Sequence, residues 1–280
     1  MSPLRGVFVV ARLTLHEAAR KRVLLAALLG GAAFVVLFGF GFRAILGDEE
    51  TRGMRAMERR LLLSMITVAG LYAVNLLTVM TAVLLPVDTL SGEISSGVMQ
   101  TVASKPLRRS AIVLGKWLAH AGVAVGYLLL LAGGVLGAAW LLGRNALPGV
   151  GAGLALMALE AVLLVSVSIA GGARLGTLTN GILAFALYGL AFVGGWIEQI
   201  GAFAGNEAAV RVGVVASLIM PCDAMWRLAA HHMQPALVRE LQMSPFASAS
   251  LPSPAMVGWA AGYALVALAC GVRGFSRRAL

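Results

Sequence analysis

Six apolar stretches, at 23–42, 61–85, 117–142, 149–172, 181–198 and 255–272, constrain this chain more than any other feature. Each is long enough to cross the hydrocarbon core of a bilayer, which takes roughly 17–25 residues of helix. Lipid offers no hydrogen-bond partner to a free backbone amide, so stretches that lie in it must be helical. Composition agrees: 60% of the 280 residues are hydrophobic, 12% are charged and the mean hydropathy is +0.90. A soluble domain carries about 25% charged residues. The reading is an all-α integral membrane protein, a single domain over 1–280. It has six transmembrane helices, an N-terminal interfacial helix and short helices in the last outer loop. The fifth and sixth runs are the shortest, and Gly189, Gly194 and Gly195 interrupt the fifth.

A net charge of +10 raises nucleic acid as a partner, but the basic residues stand at the ends of the apolar runs and form no single patch. In a membrane protein that distribution sets orientation and attracts anionic lipids. Membrane lipid is therefore the expected partner, and nucleic acid is not. With both termini cytoplasmic, the inner segments hold 13 of the 22 basic residues, including all three lysines, against Glu17, Asp88 and Glu93. The outer segments hold the other 9, offset by 8 acids. The expected location is the cell membrane, the bacterial inner membrane, with many passes and both ends inside. Arginines ahead of the first run resemble a signal peptide, but the run is long and no small-residue cleavage site follows, so it reads as an uncleaved span. Cys222 and Cys270 make no disulfide framework.

Two non-spanning regions have structure of their own. In 1–22, Leu4, Val7, Ala11, Leu15 and Ala18 fall within about 80° on a helical wheel, with Arg5, Arg12, His16 and Arg20 opposite. That pattern suits a helix lying in the headgroup region, or simply the start of the first span. In the outer loop 199–254, Asn206-Glu207 opens an apolar run, 208–219, that is too short to cross and that Pro221 ends. Asp223 caps a second short helix over 224–233, and Pro235 opens a third. The run packs as a lid in the outer mouth of the bundle, with Trp226 at headgroup level.

The stretch 86–116, PVDTLSGEISSGVMQTVASKPLRRSAIVLGK, lies between the second and third runs. Its Glu93, Gly97, Pro106, Arg109 and Lys116 match the pattern of the cytoplasmic loop of ABC-2 type permeases, which the sequence resembles. Val98 stands where that family has Thr. A second match is MPCDAMWRLA at 220–229, in which Pro221, Asp223, Trp226 and Arg227 fit the element before the family's last span. The layout is similar to that of the nitrous-oxide-reductase maturation permeases. The resemblance implies an ATP-driven exporter subunit whose loop 86–109, chiefly 88–103, couples to a separate cytoplasmic ABC ATPase. It further implies a dimer with a second permease copy, or a pair with a sister permease, and an outer gate around 221–227. Independently of the family, Glu93 on a short cytoplasmic helix can anchor a partner arginine or be a solvated face. Lys105, Arg108 and Arg109 would hold the loop at the anionic leaflet.

The chain has no phosphate-binding loop: Gly115-Lys116 is followed by Trp117, and Ser110 stands where the first glycine belongs. ATP and Mg would therefore sit on the partner, and the permease itself binds no cofactor and is not an enzyme. His16-Glu17-Ala18-Ala19-Arg20 lacks the second histidine of a zinc protease. Met220, Cys222, Met225, His231, His232, Met233 and Met243 are soft donors that suit copper, or else methionines that fill helix faces; no metal motif is matched. Glu160, mid-run, either lines a transport path or is a protonated carboxyl bonded to Asn75 or His120. Gly115, Gly122, Gly126, Gly133 and Gly137 form one seam for close helix packing, within a subunit rather than between subunits. An intramembrane enzyme acting on lipid or peptide is the rival function, and a non-transporting anchor or sensor a third. With few charges in the spans, an amphiphilic solute is favoured.

The orientation has a direct test. In a Cys222→Ser background, Glu49→Cys and Glu207→Cys should react with an impermeant thiol reagent in intact cells, and Ser104→Cys should not. Labelling at 104 alone would invert the topology.

Overall fold

The computed structural model describes residues 3–97, 108–240 and 250–278. Twelve helices are found among them. In chain order they are α1 (Pro3–Arg20), α2 (Arg22–Gly47), α3 (Glu49–Gly53), α4 (Ala56–Leu84), α5 (Ser91–Ser95) and α6 (Arg109–Gly143). There follow α7 (Val150–Gly172), α8 (Thr177–Phe203), α9 (Glu207–Ile219), α10 (Cys222–Met233), α11 (Ala236–Glu240) and α12 (Pro254–Ser276). Six of them, α2, α4, α6, α7, α8 and α12, are long and apolar enough to cross a membrane. They coincide with the six expected runs. The fifth differs in extent, since α8 continues unbroken for 27 residues through its glycines.

The outside of the bundle is apolar. Leu37 and Phe40 on α2, Leu141 on α6, Leu178 on α8 and Leu265 on α12 are each about two-thirds exposed or more. Water would penalise that surface by roughly 25 cal/mol per Å², so lipid is the solvent it fits. Inside, α7 is the central helix, packed against α4, α6, α8, α10 and α12. Its Leu163, Leu164, Val165 and Ile169 are fully buried.

The first span runs beside the third on glycine contacts. A Cβ on Gly31 would meet Leu131 at 2.7 Å, one on Gly134 would meet Val35 at 2.8 Å, and one on Gly143 would meet Phe42 at 2.9 Å. Residue numbers rise together along both helices, so the two are parallel, as first and third crossings must be. The Tyr127 hydroxyl donates to the Ala27 carbonyl at 2.8 Å and satisfies its own polar tip.

That geometry corrects the expected glycine seam. Gly122, Gly126, Gly133 and Gly137 have open space where a Cβ would be, so no helix among the described residues packs there. Gly115 alone of the five makes a backbone-close contact, against Val10 and the Val7 carbonyl of α1. The stripe was chosen by periodicity, whereas α2 reaches α6 over Gly134 and Gly143, off the stripe.

Helix α1 divides its surface in three. Gly6, Val10, Ala11, Thr14 and Ala18 are buried, chiefly on α6, while Phe8 and Leu15 stay exposed on the adjacent flank. Arg5, Arg12, His16 and Arg20 are exposed opposite. The expected apolar face is thus split between a protein-facing stripe of small residues and a flank left for lipid. The side chain of Leu4 lies outside the described residues.

Enlarging Gly115 should therefore strip α1 from the bundle. In Gly115→Leu the new Cβ would lie 2.6 Å from Val10, an overpacking that costs about 1–3 kcal/mol. Faster hydrogen exchange across 5–20 is expected, whereas Gly126→Leu, in open space, should leave exchange unchanged.

Candidate functional site

The candidate residues fall into two clusters at opposite ends of the bundle, with Glu160 between them. On the side that carries both termini, the chain leaves α4, turns through 85–90 and forms α5. Gly97 ends this short helix at φ +77, a left-handed conformation that only glycine adopts without strain. Lys105, Pro106, Val98 and the rest of 98–107 lie outside the described residues.

Four bonds tie α5 and its approach to the bundle. Lys116 of α6 donates to the Glu93 carboxylate, and the pair is largely buried. The Ser91 and Thr177 hydroxyls are 2.8 Å apart, linking α5 to α8. The Thr89 hydroxyl lies 3.1 Å from His120 Nε2 on α6. Lys21, between α1 and α2, donates to Asp88 at 2.9 Å. Glu93 and Lys116, both named from the sequence, are thus brought into one ion pair. Arg109 sits apart from them: it donates to the carbonyls of Ser276 and Arg278 at 3.2 and 2.7 Å, capping the end of α12. A cation there offsets the negative helix C-terminus.

At the other end, α8 and α9 form an antiparallel hairpin closed by Gly205 at φ +67 and by Asn206, whose side chain accepts from the amides of Ala208 and Ala209. Small residues bring the backbones together. A Cβ on Gly194 would meet Ala216 at 2.2 Å, and one on Gly213 would meet Glu198 at 2.3 Å. Val215 and Leu218 point outward and remain about half exposed. The apolar 208–219 run thus packs through its glycine and alanine face, leaving its large side chains to the surroundings.

The chain then bends by 106° from α9 into α10. Neither helix is long enough to cross, so the pair is a re-entrant loop whose tip, Met220-Pro221-Cys222, is buried. Pro221 stands at the N-cap of α10, and the helix starts at Cys222, so Asp223 lies within the first turn and does not cap it. Trp226, expected at headgroup level, is instead 5% exposed and packs its ring 5.2 Å from that of Tyr72 on α4. Met220, Met225 and Met233 are core residues, Met233 filling the space beside Gly153. His231 lies 3.3 Å from Arg239. Met243 lies outside the described residues, and among those described no three of His, Cys, Asp and Glu are grouped to hold a metal.

Arg227 is the hub of this cluster. Its guanidinium donates to Glu198 of α8 at 2.8 Å, to the Ser217 hydroxyl of α9 at 3.2 Å and to the Ser250 carbonyl at 3.3 Å. Asp223 stands 2.9 Å from its Nε, in ion-pair range though not aligned for a hydrogen bond. The Ser250 hydroxyl closes the ring on Glu198 at 2.6 Å. One cation thus joins the fifth span, both halves of the re-entrant loop and the lead into the last span. Glu198 is the member that sequence reasoning missed. The signal is its place closing an apolar run, where a carboxylate demands a buried cation, and Arg227 is one within the same outer segment.

Glu160 lies ten residues into α7, about 15 Å along its axis. It is 1% exposed, and neither carboxyl oxygen has a hydrogen-bond partner among the described residues. Asn75 is the polar side chain beside it, short of good hydrogen-bonding alignment. His120, the other expected partner, is engaged with Thr89 and the Lys116 carbonyl. Tyr72, Tyr188, Cys222 and Asp223 lie within electrostatic range of Glu160. Helix α10 packs directly on α7, so the re-entrant loop and the helix that carries Glu160 are neighbours.

No protein-family model and no curated protein matches the chain.

If Arg227 holds the loop in place, Arg227→Met leaves Glu198 and Asp223 buried without a cation. Stripping one partner from such a cluster costs about 3–5 kcal/mol. Thermal unfolding in detergent should show a large drop for Arg227→Met and a smaller one for Glu198→Gln, which keeps its size and hydrogen-bonding capacity.

Proposed function

We propose that this chain is the membrane-spanning permease subunit of an ATP-driven exporter of the ABC-2 type. The observation that carries the reading is the tethering of α5, the short helix between the second and third spans. Four polar links connect it and its approach to α6, α8 and the α1–α2 junction. A helix so held transmits a push or pull to several spans together, which is what a coupling element must do. Its sequence also carries Glu93, Gly97 and Lys116 of the motif that resembles the coupling loop of that family.

In this reading the termini and α5 face the cytoplasm of a bacterial inner membrane, where a separate ABC ATPase holds ATP and Mg and docks on the 86–109 loop. Two permease copies enclose the path. ATP-driven closure of the ATPases moves α5 and, through Lys116, the third span. The Arg227 cluster, at the far end, holds the re-entrant loop as the outer gate until the spans shift. The chain performs no hydrolysis of its own, since it lacks a phosphate-binding loop.

The pair Glu93–Lys116 supplies the test. Glu93→Ala frees α5 and leaves a mostly buried ammonium unpaired. Co-purification of the cognate ATPase is expected to fall on the order of tenfold, with membrane insertion unchanged. Lys116→Ala should reproduce the loss if the role of Glu93 is to hold α5 in its docking position. Wild-type association and transport in both variants would overturn the coupling assignment.

A further inference from the structure

A carboxyl group buried in a helical bundle needs a reason to be there, and Glu160 has none that the fold supplies. It caps no helix, joins no ion pair and accepts no hydrogen bond among the described residues. Arg227, the cation on the adjoining α10, is already bound by Glu198 and Asp223. Its depth is also significant: the non-helical backbone at Met220-Pro221 leads into α10, which packs on α7 and sets Asp223 against Gly195 of α8. Broken backbone at membrane depth occurs where protein or a cavity shelters it, and such breaks mark binding sites in transporters.

The surroundings are aromatic and apolar. Tyr72 and Tyr188 lie on α4 and α8 within electrostatic range of Glu160, and the Trp226 ring of α10 packs tilted against Tyr72, centroids 5.2 Å apart. Met157, one turn before Glu160, and Met225 are fully buried. One carboxyl in a buried aromatic and apolar setting suits one kind of ligand: a positive charge spread over a greasy body. Aromatic faces attract cations, and the carboxylate supplies a countercharge that the apolar lining otherwise lacks. A hard metal ion would need several oxygen ligands, and an anion would be repelled.

We propose that Glu160, with Tyr72, Tyr188 and Trp226 around the re-entrant tip, binds a lipophilic organic cation as the exported solute. The inference rests on the permease reading and deepens it by naming the substrate class. With the cation absent, the carboxyl stays closed over by the hairpin tip. Displacing the tip opens the site toward the far side, which places cation binding and outer-gate movement at one position.

The test is equilibrium binding of radiolabelled tetraphenylphosphonium to the purified full-length chain in lipid nanodiscs, with uncharged triphenylphosphine oxide as the comparison. Wild type is expected to bind the cation and not the neutral compound. Glu160→Gln should weaken binding by on the order of tenfold or more, the loss of one charge contact in a low-dielectric site. Glu160→Asp should retain part of it. A second measurement on wild type avoids dependence on the variant's folding. Dicyclohexylcarbodiimide, which modifies carboxyls sheltered from water, should label Glu160, and tetraphenylphosphonium should protect it. Equal binding by wild type and Glu160→Gln, equal binding of the neutral compound, or labelling that the cation fails to block would overturn the assignment. No ATPase takes part in these assays. A chain that fails them yet co-purifies with its ATPase loses the cation site and keeps the permease reading, whereas one that binds the cation but no ATPase does the reverse.

Discussion

Backbone amides cannot be left open in lipid, and the whole architecture follows from how this chain obeys that constraint. Where the sequence is apolar for twenty residues or more, the helix satisfies its own amides and can face lipid, as α2 and the outer surface of α6 do. Where the sequence breaks a helix at depth, at Met220-Pro221, the open backbone has to be sheltered by protein. The Leu218 carbonyl at the end of α9 takes a bond from the Trp259 indole of α12. Helices α7 and α8, with α12 and α4, enclose the rest. The break is tolerated because it is interior.

Sheltering the tip requires close approach, and close approach requires small residues. Gly194, Gly195, Gly201 and Gly213 let α8, α9 and α10 meet at distances no Cβ would permit. Gly149 shows the same demand twice over, with φ +56 and a His232 carbonyl 2.4 Å from where a Cβ would be. Once backbones are that near, a buried charge can be neutralised by several elements together, which is what Arg227 achieves. The ion cluster adds specificity more than stability, since apolar packing of the same volume is often equally stabilising. It fixes one register of α8, α9, α10 and Ser250, and that register brings Cys222 and Asp223 into the neighbourhood of Glu160.

The two ends of the bundle have different mechanical characters. On the terminal side, α5 and its approach are held by two bonds to α6, one to α8 and one to Lys21 between α1 and α2, an arrangement that carries displacement outward along α6 and α8. On the far side, the hairpin is held by one cation with many partners, an arrangement that resists movement until several contacts release together. Central helix α7 touches both regions, and its carboxyl lies between them. A tethered short helix, an ion cluster and an intervening buried carboxyl are thus arranged from one end of the bundle to the other.

Hydrophobic run length and helix punctuation made much of this legible in advance: the six crossings, the three short helices after Asn206, Pro221 and Pro235, and an N-terminal helix with one charged face. These depend on local physics, on how many apolar residues cross a bilayer and on which residues start or stop a helix, and local physics is written in consecutive residues. Partner choice was not. The periodic glycine seam on α6 points to a packed face that is open, Trp226 packs into the protein on Tyr72 where a headgroup position is expected, and nothing local to Glu198 names its cation. Which face of a helix meets another, and which acid meets which base, depends on residues separated by dozens of positions in the chain. The interhelical packing that selects among such pairs is decided only when all the helices are in place.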